Sequence, residues 1–374
     1  MNFLDHLQQY PPQRLREVIL STSERQIDQA LRRPRLSLED FAALLSPWIS
    51  DAQLESLASR AHQITSQRFG HTILLYAPIY LSNECHNGCR YCGFSAENHL
   101  LRKTLSLDEI EQEAKILHQQ GFRHLLLLTG EAPEAAGIAF IEAAVERIKP
   151  LCGSVSIEVF PMDKAGYQRM VTAGVDGLTL YQETYDPELY RELHPYGPKS
   201  DYLFRLQAPE RAGEAGLRRI GIGSLLGLGD CLTDVFCTGL HARYLARRFW
   251  RTQVTISFPR LRPAEGGFQP RSNVTDRQLT QFICALRLLL PDAGLVLSTR
   301  ENAALRDNLL PLGITQMSAG SCTSPGGYST DSHDGEQFAI NDDRTPQQIV
   351  QLLHDRGYEA VWKDWDGSFL AGTK

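Results

Sequence analysis

Between residues 73 and 317 short apolar runs alternate with amphipathic stretches, and this alternation restricts the chain to very few architectures. The runs at Ile73–Tyr80, His124–Thr129, Val155–Val159, Gly177–Tyr181, Arg218–Gly223, Gln253–Phe258, Gly294–Ser298 and Gly313–Met317 read as strands. Most are apolar nearly throughout, the pattern of parallel strands covered on both faces. Most intervals hold a helix. One carries Leu107, Ile110, Ala114 and Leu117 on one face and opens on Ser106 with Glu109 three residues later, a capping box. An open doubly wound sheet would show similar local patterns, but eight such units match the closure of a (β/α)8 TIM-like barrel.

The flanks have a different texture. Residues 1 to about 70 read as helical, with Leu15, Val18 and Ile19, then Phe41, Leu44, Leu45 and Trp48, at helical spacing, interrupted by Pro11-Pro12 and Pro34. After Gly320 the chain is rich in Gly, Ser and Asp, reading as a long loop before a final helix near Pro346–Arg356. The expected division is an N-terminal helical extension (1–70), a barrel (71–320) and a C-terminal loop and helix extension that closes the barrel (321–374).

Composition serves to exclude. A formal charge of -6 argues against nucleic acid as the main partner, because binding phosphates needs a concentrated basic surface. No apolar run approaches the roughly 20 residues that span a bilayer, and the N-terminus shows no basic segment followed by an apolar one. The expectation is a cytoplasmic protein with no membrane or nucleic-acid partner. Eight cysteines, three of them crowded into positions 85 to 92, suit metal or redox chemistry better than a disulfide framework.

Cys85, Cys89 and Cys92 form a C-x3-C-x2-C set directly after the first expected strand, where a barrel presents its catalytic face. Three thiolates suit three irons of a [4Fe–4S] cubane and leave the fourth iron open. Gly88 and Gly93 should let the backbone fold tightly around the sulfurs. The competing interpretation is a structural zinc site completed by His86 or His99, but no second closely spaced cysteine pair exists to finish it. Cys152, Cys231, Cys237, Cys284 and Cys322 are scattered and read as buried thiols.

The pattern C-x3-C-x-aromatic-C, with Tyr91 as the aromatic residue, resembles the signature of the radical S-adenosylmethionine superfamily. The resemblance implies a [4Fe–4S] cluster whose open iron chelates S-adenosylmethionine and cleaves it to methionine and a 5′-deoxyadenosyl radical. Leu127-Leu128-Thr129-Gly130-Glu131 resembles the family's Gly-Gly-Glu segment, with Thr129 as a departure, which implies contact of Thr129, Gly130 and Glu131 with the methionyl amino group. Glu183-Thr184, His194-Pro195 and Arg205 resemble a stretch in which the Glu and the Arg clasp S-adenosylmethionine; a surface salt bridge is the plainer alternative. Glu158 is a weaker candidate for the ribose. Gly221, Gly223, Gly227 and Gly229 lack dinucleotide-fingerprint spacing and read as room for an adenosyl group.

The resemblance extends through Ser257-Phe258-Pro259-Arg260-Leu261-Arg262-Pro263, Leu297-Ser298-Thr299-Arg300-Glu301 and Met317 to Tyr328, segments similar to the aromatic amino acid lyases of that superfamily. Arg300, at the end of the seventh expected strand, can grip an α-carboxylate in a bidentate way with Ser318 or Ser321; the alternative is an ion pair with Glu301 or Asp307. Tyr91 and Arg300 are therefore the candidates for the reacting centre. The implied chemistry removes hydrogen from the substrate amino nitrogen and breaks the Cα–Cβ bond. Within the group, a hydrogenase-maturation lyase would carry a second cluster on a C-terminal cysteine pair, yet no cysteine follows Cys322. The expectation is the thiamine-pathway type, acting on L-tyrosine, with thiazole synthase as partner and a flavodoxin or ferredoxin as electron donor. A tryptophan lyase, a biotin-synthase-like enzyme and a non-catalytic zinc or iron–sulfur scaffold are the alternatives.

Overall fold

All eight expected strands form in the computed structural model, which describes residues 2–330 and 335–363. They are β1 (Thr72–Ser82), β2 (His124–Thr129), β3 (Ser154–Glu158), β4 (Gly177–Thr179), β5 (Arg219–Gly223), β6 (Gln253–Ser257), β7 (Gly294–Leu297) and β8 (Gln316–Ser318). Each pairs in parallel with the next, and β1 pairs with both β2 and β8, so the sheet closes into a barrel rather than staying open. Alternation sorts the apolar runs onto two surfaces. On β1, Ile73, Leu75, Ala77, Ile79 and Leu81 join the main core, while Tyr76 and Tyr80 belong to a separate interior cluster with Leu126 and Leu128 of β2.

The helix Leu107–Gln119 starts at the expected capping box, Ser106 accepting from the Glu109 amide and Glu109 answering the Ser106 amide. The N-terminal region folds into five helices, Phe3–Leu7, Pro12–Leu20, Glu24–Arg32, Leu38–Leu44 and Asp51–Phe69, with breaks at the prolines noted above. These helices pack on the outer flank of the barrel, against the helices Cys231–Arg248 and Asp276–Leu289. Phe3 stacks on His241 with ring centroids 3.7 Å apart. Two residues expected on the buried face are exposed instead. Val18 turns outward, and Trp48 lies past the end of its helix, where its indole N–H donates to the Leu20 carbonyl.

The C-terminal stretch does more than the sequence pattern suggests. The final helix, Pro346–Asp355, is followed by a short ninth strand, β9 (Glu359–Val361), which pairs in parallel with Thr72–Leu74 of β1. β1 is eleven residues long and β2 joins it only from Ala77, so its first residues are open to a further partner. Residues 335–345 cross the barrel mouth, held by Asn341 and Asp342 amides on the Thr299 carbonyl and by a buried Arg306–Asp342 ion pair that Arg344 extends to Asp307. The last residues of the expected C-terminal extension, 364–374, lie outside the described residues. None of the described helices is long and apolar enough to cross a membrane.

Candidate active site at the barrel mouth

The cysteine loop leaves β1 at Ser82 and runs without regular structure to residue 103. Its backbone is tied to two neighbouring segments: His86 donates to the Glu131 carbonyl, Gly88 to Tyr196 and Arg90 to Leu193. The glycines here provide clearance rather than a turn. A Cβ on Gly93 would sit 2.5 Å from the Gln337 carbonyl oxygen, and one on Gly130 would sit 2.2 Å from that of Glu84. The β2 end and the mouth-crossing segment can therefore approach the loop closely.

All three loop cysteines are free. Burial pushes the Cys89 and Cys92 thiols up, Lys199 opposes the rise in both, and neighbouring loop cysteines add to it. Amide donors approach the sulfurs, Asn87 Nδ2 at 3.7 Å from Cys85 Sγ and Gln337 Nε2 at 3.9 Å from Cys92 Sγ. This donor set fits a cubane, which takes each thiolate on a different iron and accepts hydrogen bonds at sulfur. The zinc alternative fares worse. His86, one of the two imidazoles that could complete a zinc site, faces Glu134 instead.

Beside the loop lies a buried charge network. Arg205 Nη1 donates to Glu131 Oε1 at 3.0 Å, its Nη2 lies 3.6 Å from Glu183 Oε1, and Lys199 Nζ reaches the same Glu183 oxygen at 2.7 Å. Asn87 Nδ2 donates to the other Glu131 oxygen at 2.9 Å, and Asn87 Oδ1 accepts from the Lys199 amide. The surface-salt-bridge alternative for Glu183 and Arg205 fails on burial, since they are 7% and 6% exposed. Burial favours a protonated Glu183, but Lys199 and Arg205 outweigh it and hold the carboxyl below its usual range. Glu183 is also the one non-glycine among the described residues with positive φ, at 72°. A left-handed glutamate persists only where its surroundings over-determine it, as at ligand sites.

Tyr91 is anchored from the same side. Burial, seconded by Lys199, lowers His194 to about 3, so its ring is neutral. Its Nδ1 lies 2.7 Å from the Tyr190 carbonyl and carries the proton, which leaves Nε2 to accept from the Tyr91 hydroxyl at 2.9 Å.

A cavity opens next to this network, walled by Tyr76, Tyr80, Tyr181, Phe258, Leu126 and Phe338. Arg300, Glu158, Ser318 and Ser321 all line it. The ion-pair alternative for Arg300 does not form: Glu301 is taken by Arg260 and Arg262, and Asp307 by Arg344. The Arg300 guanidinium lies over the Phe338 ring, 3.3 Å from its centroid. Ser318 Oγ accepts from the Thr299 amide, whereas Ser321 Oγ is buried with no partner, as is Thr129 Oγ1 at the end of β2. Burial, seconded by the Glu183 charge, raises Glu158 to about 7 against the pull of Arg300. Glycines 221 and 223 leave room inside the barrel, since a Cβ on either would press on β6.

The expected site residues thus fall into two adjoining groups, one around the cysteines and one around Arg300. Four contributors carry no readable sequence signal. Lys199, Asn87, Gln337 and Phe338 reach the site from loops whose position only the fold determines. Cys231, Cys237, Cys284 and Cys322 are buried as expected, while Cys152 is partly exposed.

Comparison with known proteins matches residues 79–235 to the Radical SAM superfamily and residues 257–359 to the Biotin and Thiamin Synthesis associated domain. The chain is 42% identical to the 2-iminoacetate synthase of Salmonella typhimurium over 341 residues, 91% of this chain and 90% of that one. It is 30% identical to the 3-methylornithine synthase of Methanosarcina barkeri over 76% of this chain and 82% of that one. Among solved structures, the [FeFe]-hydrogenase maturase HydG from Carboxydothermus hydrogenoformans superposes with a TM-score of 0.87 at 36% identity, covering 94% of this chain and 83% of that one.

Proposed function

This chain belongs to the radical S-adenosylmethionine superfamily, in the family of the 2-iminoacetate synthases, and on that basis we propose how its residues cleave the Cα–Cβ bond of L-tyrosine. The products are 2-iminoacetate and p-cresol, with methionine and 5′-deoxyadenosine formed alongside, and 2-iminoacetate serves the thiazole moiety of thiamine. When bound, the [4Fe–4S] cluster and S-adenosylmethionine supply the one-electron chemistry and the radical that removes hydrogen from the substrate.

The observation that carries the residue assignment is the unpaired Arg300 guanidinium in an aromatic-walled cavity beside three clustered cysteines. Cys85, Cys89 and Cys92 hold the cluster. Tyr91 is fixed by His194 beside these cysteines, and Thr129, Gly130, Glu131, Glu183 and Arg205 would receive S-adenosylmethionine. Arg300 takes the tyrosine carboxylate in a bidentate grip, with the unsatisfied Ser321 hydroxyl as a second donor and Ser318 holding the Thr299 backbone in place. The tyrosine ring lies among Tyr76, Tyr181, Leu126 and Phe258, where apolar walls exclude water from the reacting carbon. The barrel of residues 71–320 does this work, with the helices of 1–70 buttressing its flank and residues 335–345 of the C-terminal extension crossing its mouth.

Because an imine hydrolyses readily in water, the product passes to a thiazole synthase partner, and a flavodoxin or ferredoxin reduces the cluster in the cytoplasm. The test is anaerobic: reconstituted, reduced protein given S-adenosylmethionine and tyrosine should yield 5′-deoxyadenosine and p-cresol. Deoxyadenosine without p-cresol would remove the tyrosine assignment and leave the radical chemistry standing. Cys89→Ala should abolish both products, and persistence of either would overturn the cluster assignment.

A further inference from the structure

Glu158 ends β3 and Arg300 follows β7, two strands that stand opposite each other in the closed ring of eight. Both side chains line the same cavity, and neither makes a hydrogen bond or ion pair with another described residue. Apart from burial, Arg300 is the strongest influence on Glu158, yet the two do not pair. They flank a gap, cation on one side and carboxyl on the other. An α-amino acid carries a carboxylate and an ammonium group on one carbon, so a guanidinium and a carboxyl facing each other across a gap match both at once. The substrate phenol is a poorer match for Glu158, because it lies a full ring away from the carboxylate that Arg300 holds.

We propose that Glu158 receives the α-amino group of the substrate and accepts one of its protons, rather than binding the ribose of S-adenosylmethionine. This rests on the tyrosine-lyase reading. In the transfer an ammonium N–H bond breaks, its electron pair stays on nitrogen and an O–H bond forms on the carboxyl. Transfer of a hydrogen atom from the resulting amine to the carbon radical that bound S-adenosylmethionine would supply breaks one N–H bond, forms one C–H bond and leaves a neutral nitrogen-centred radical, whereas an ammonium would have to leave a radical cation. The surroundings suit this role. Tyr76 and Tyr80 from β1 and Tyr181 after β4 have phenols raised by burial and stay uncharged, Lys199 and Arg205 are held in their cationic forms, and Glu183 is held anionic. Glu158, at about 7, is the group facing the gap that changes charge near neutrality.

The experiment measures binding to the reconstituted holoenzyme by equilibrium dialysis, using tyrosine, its analogue without the amino group, 3-(4-hydroxyphenyl)propanoate, and phenylalanine. The wild type should prefer tyrosine to the desamino acid by about tenfold or more. Glu158→Leu should erase that preference and keep the preference for tyrosine over phenylalanine. Glu158→Gln, the conservative variant, should keep part of the preference and lose the rise of kcat/KM through pH 7. If Glu158→Leu retains the amino-group preference, or loses the phenol preference instead, the inference falls. If the wild type makes no p-cresol at all, it is the tyrosine-lyase reading that fails, a result separate from either of these.

Discussion

The two halves of the site solve opposite problems. Around the cysteines, Glu131, Glu183, Lys199 and Arg205 form a network of two anions and two cations already paired with one another. Around the cavity, Arg300, Glu158 and Ser321 are left without polar partners among the described residues. A saturated network holds its shape with no ligand present, so changing it damages the fold as well as cofactor binding. Unpaired groups add little to the fold, and changing them should be felt only when substrate arrives.

The comparison breaks first, if it breaks, at Arg205. Replacing it with Ala removes the only cation paired with Glu131 among the described residues and leaves Glu183 to Lys199 alone, which should cost roughly 3–5 kcal/mol in chemical denaturation of the cluster-free protein. A loss below about 1 kcal/mol would show that the network is not saturated. Arg300→Ala should leave stability within about 0.5 kcal/mol while weakening tyrosine binding by roughly 1.5–3 kcal/mol, about ten- to 150-fold, in dialysis.

Glu158 sharpens the contrast through pH. Its carboxyl rises in the folded protein from the ordinary 4.5 to about 7, so its contribution to stability is complete below pH 4.5 and lost as pH rises through 7. Thermal unfolding should therefore find Glu158→Gln equal to wild type at pH 5 and more stable at pH 8. Asp234, also raised to about 7 by burial, loses stability over the same range in both proteins and cancels in the difference. The smallest effect belongs to Ser321→Ala, which should weaken tyrosine binding by roughly two- to fivefold without lowering the melting temperature, since the hydroxyl it removes is unsatisfied in the free protein.

Much of the frame was legible because local pattern dictated it. The capping box at Ser106 and the apolar runs of β1 to β8 depend on neighbours in sequence, and they appear within a few residues of their expected limits. Cys85, Cys89 and Cys92 stood out by their spacing and Arg300 by its place after the seventh strand, whereas Glu183 and Arg205 stood out only through the resemblance of their segments to a known family. Lys199 was not, because its role is set by Glu183 sixteen residues earlier and by a turn that Asn87 holds. Phe338 and Gln337 sit in a stretch of polar loop composition, and tertiary anchors, the Arg306–Asp342 ion pair and backbone bonds to Thr299 and Thr323 among them, bring them over the mouth. β9 is three residues long, too short for periodicity to register, and exists because β1 outruns its neighbours. Trp48 was misplaced for a related reason: helical spacing continued on paper past Leu44, where the helix ends.

The most direct test of tyrosine cleavage is a mass balance on tyrosine carrying isotopic label at its carboxyl and α carbons. Turnover should give one p-cresol and one labelled two-carbon fragment, recovered as glyoxylate after the imine hydrolyses, for each tyrosine consumed. Label recovered in a product that still joins the ring to the α carbon would contradict it.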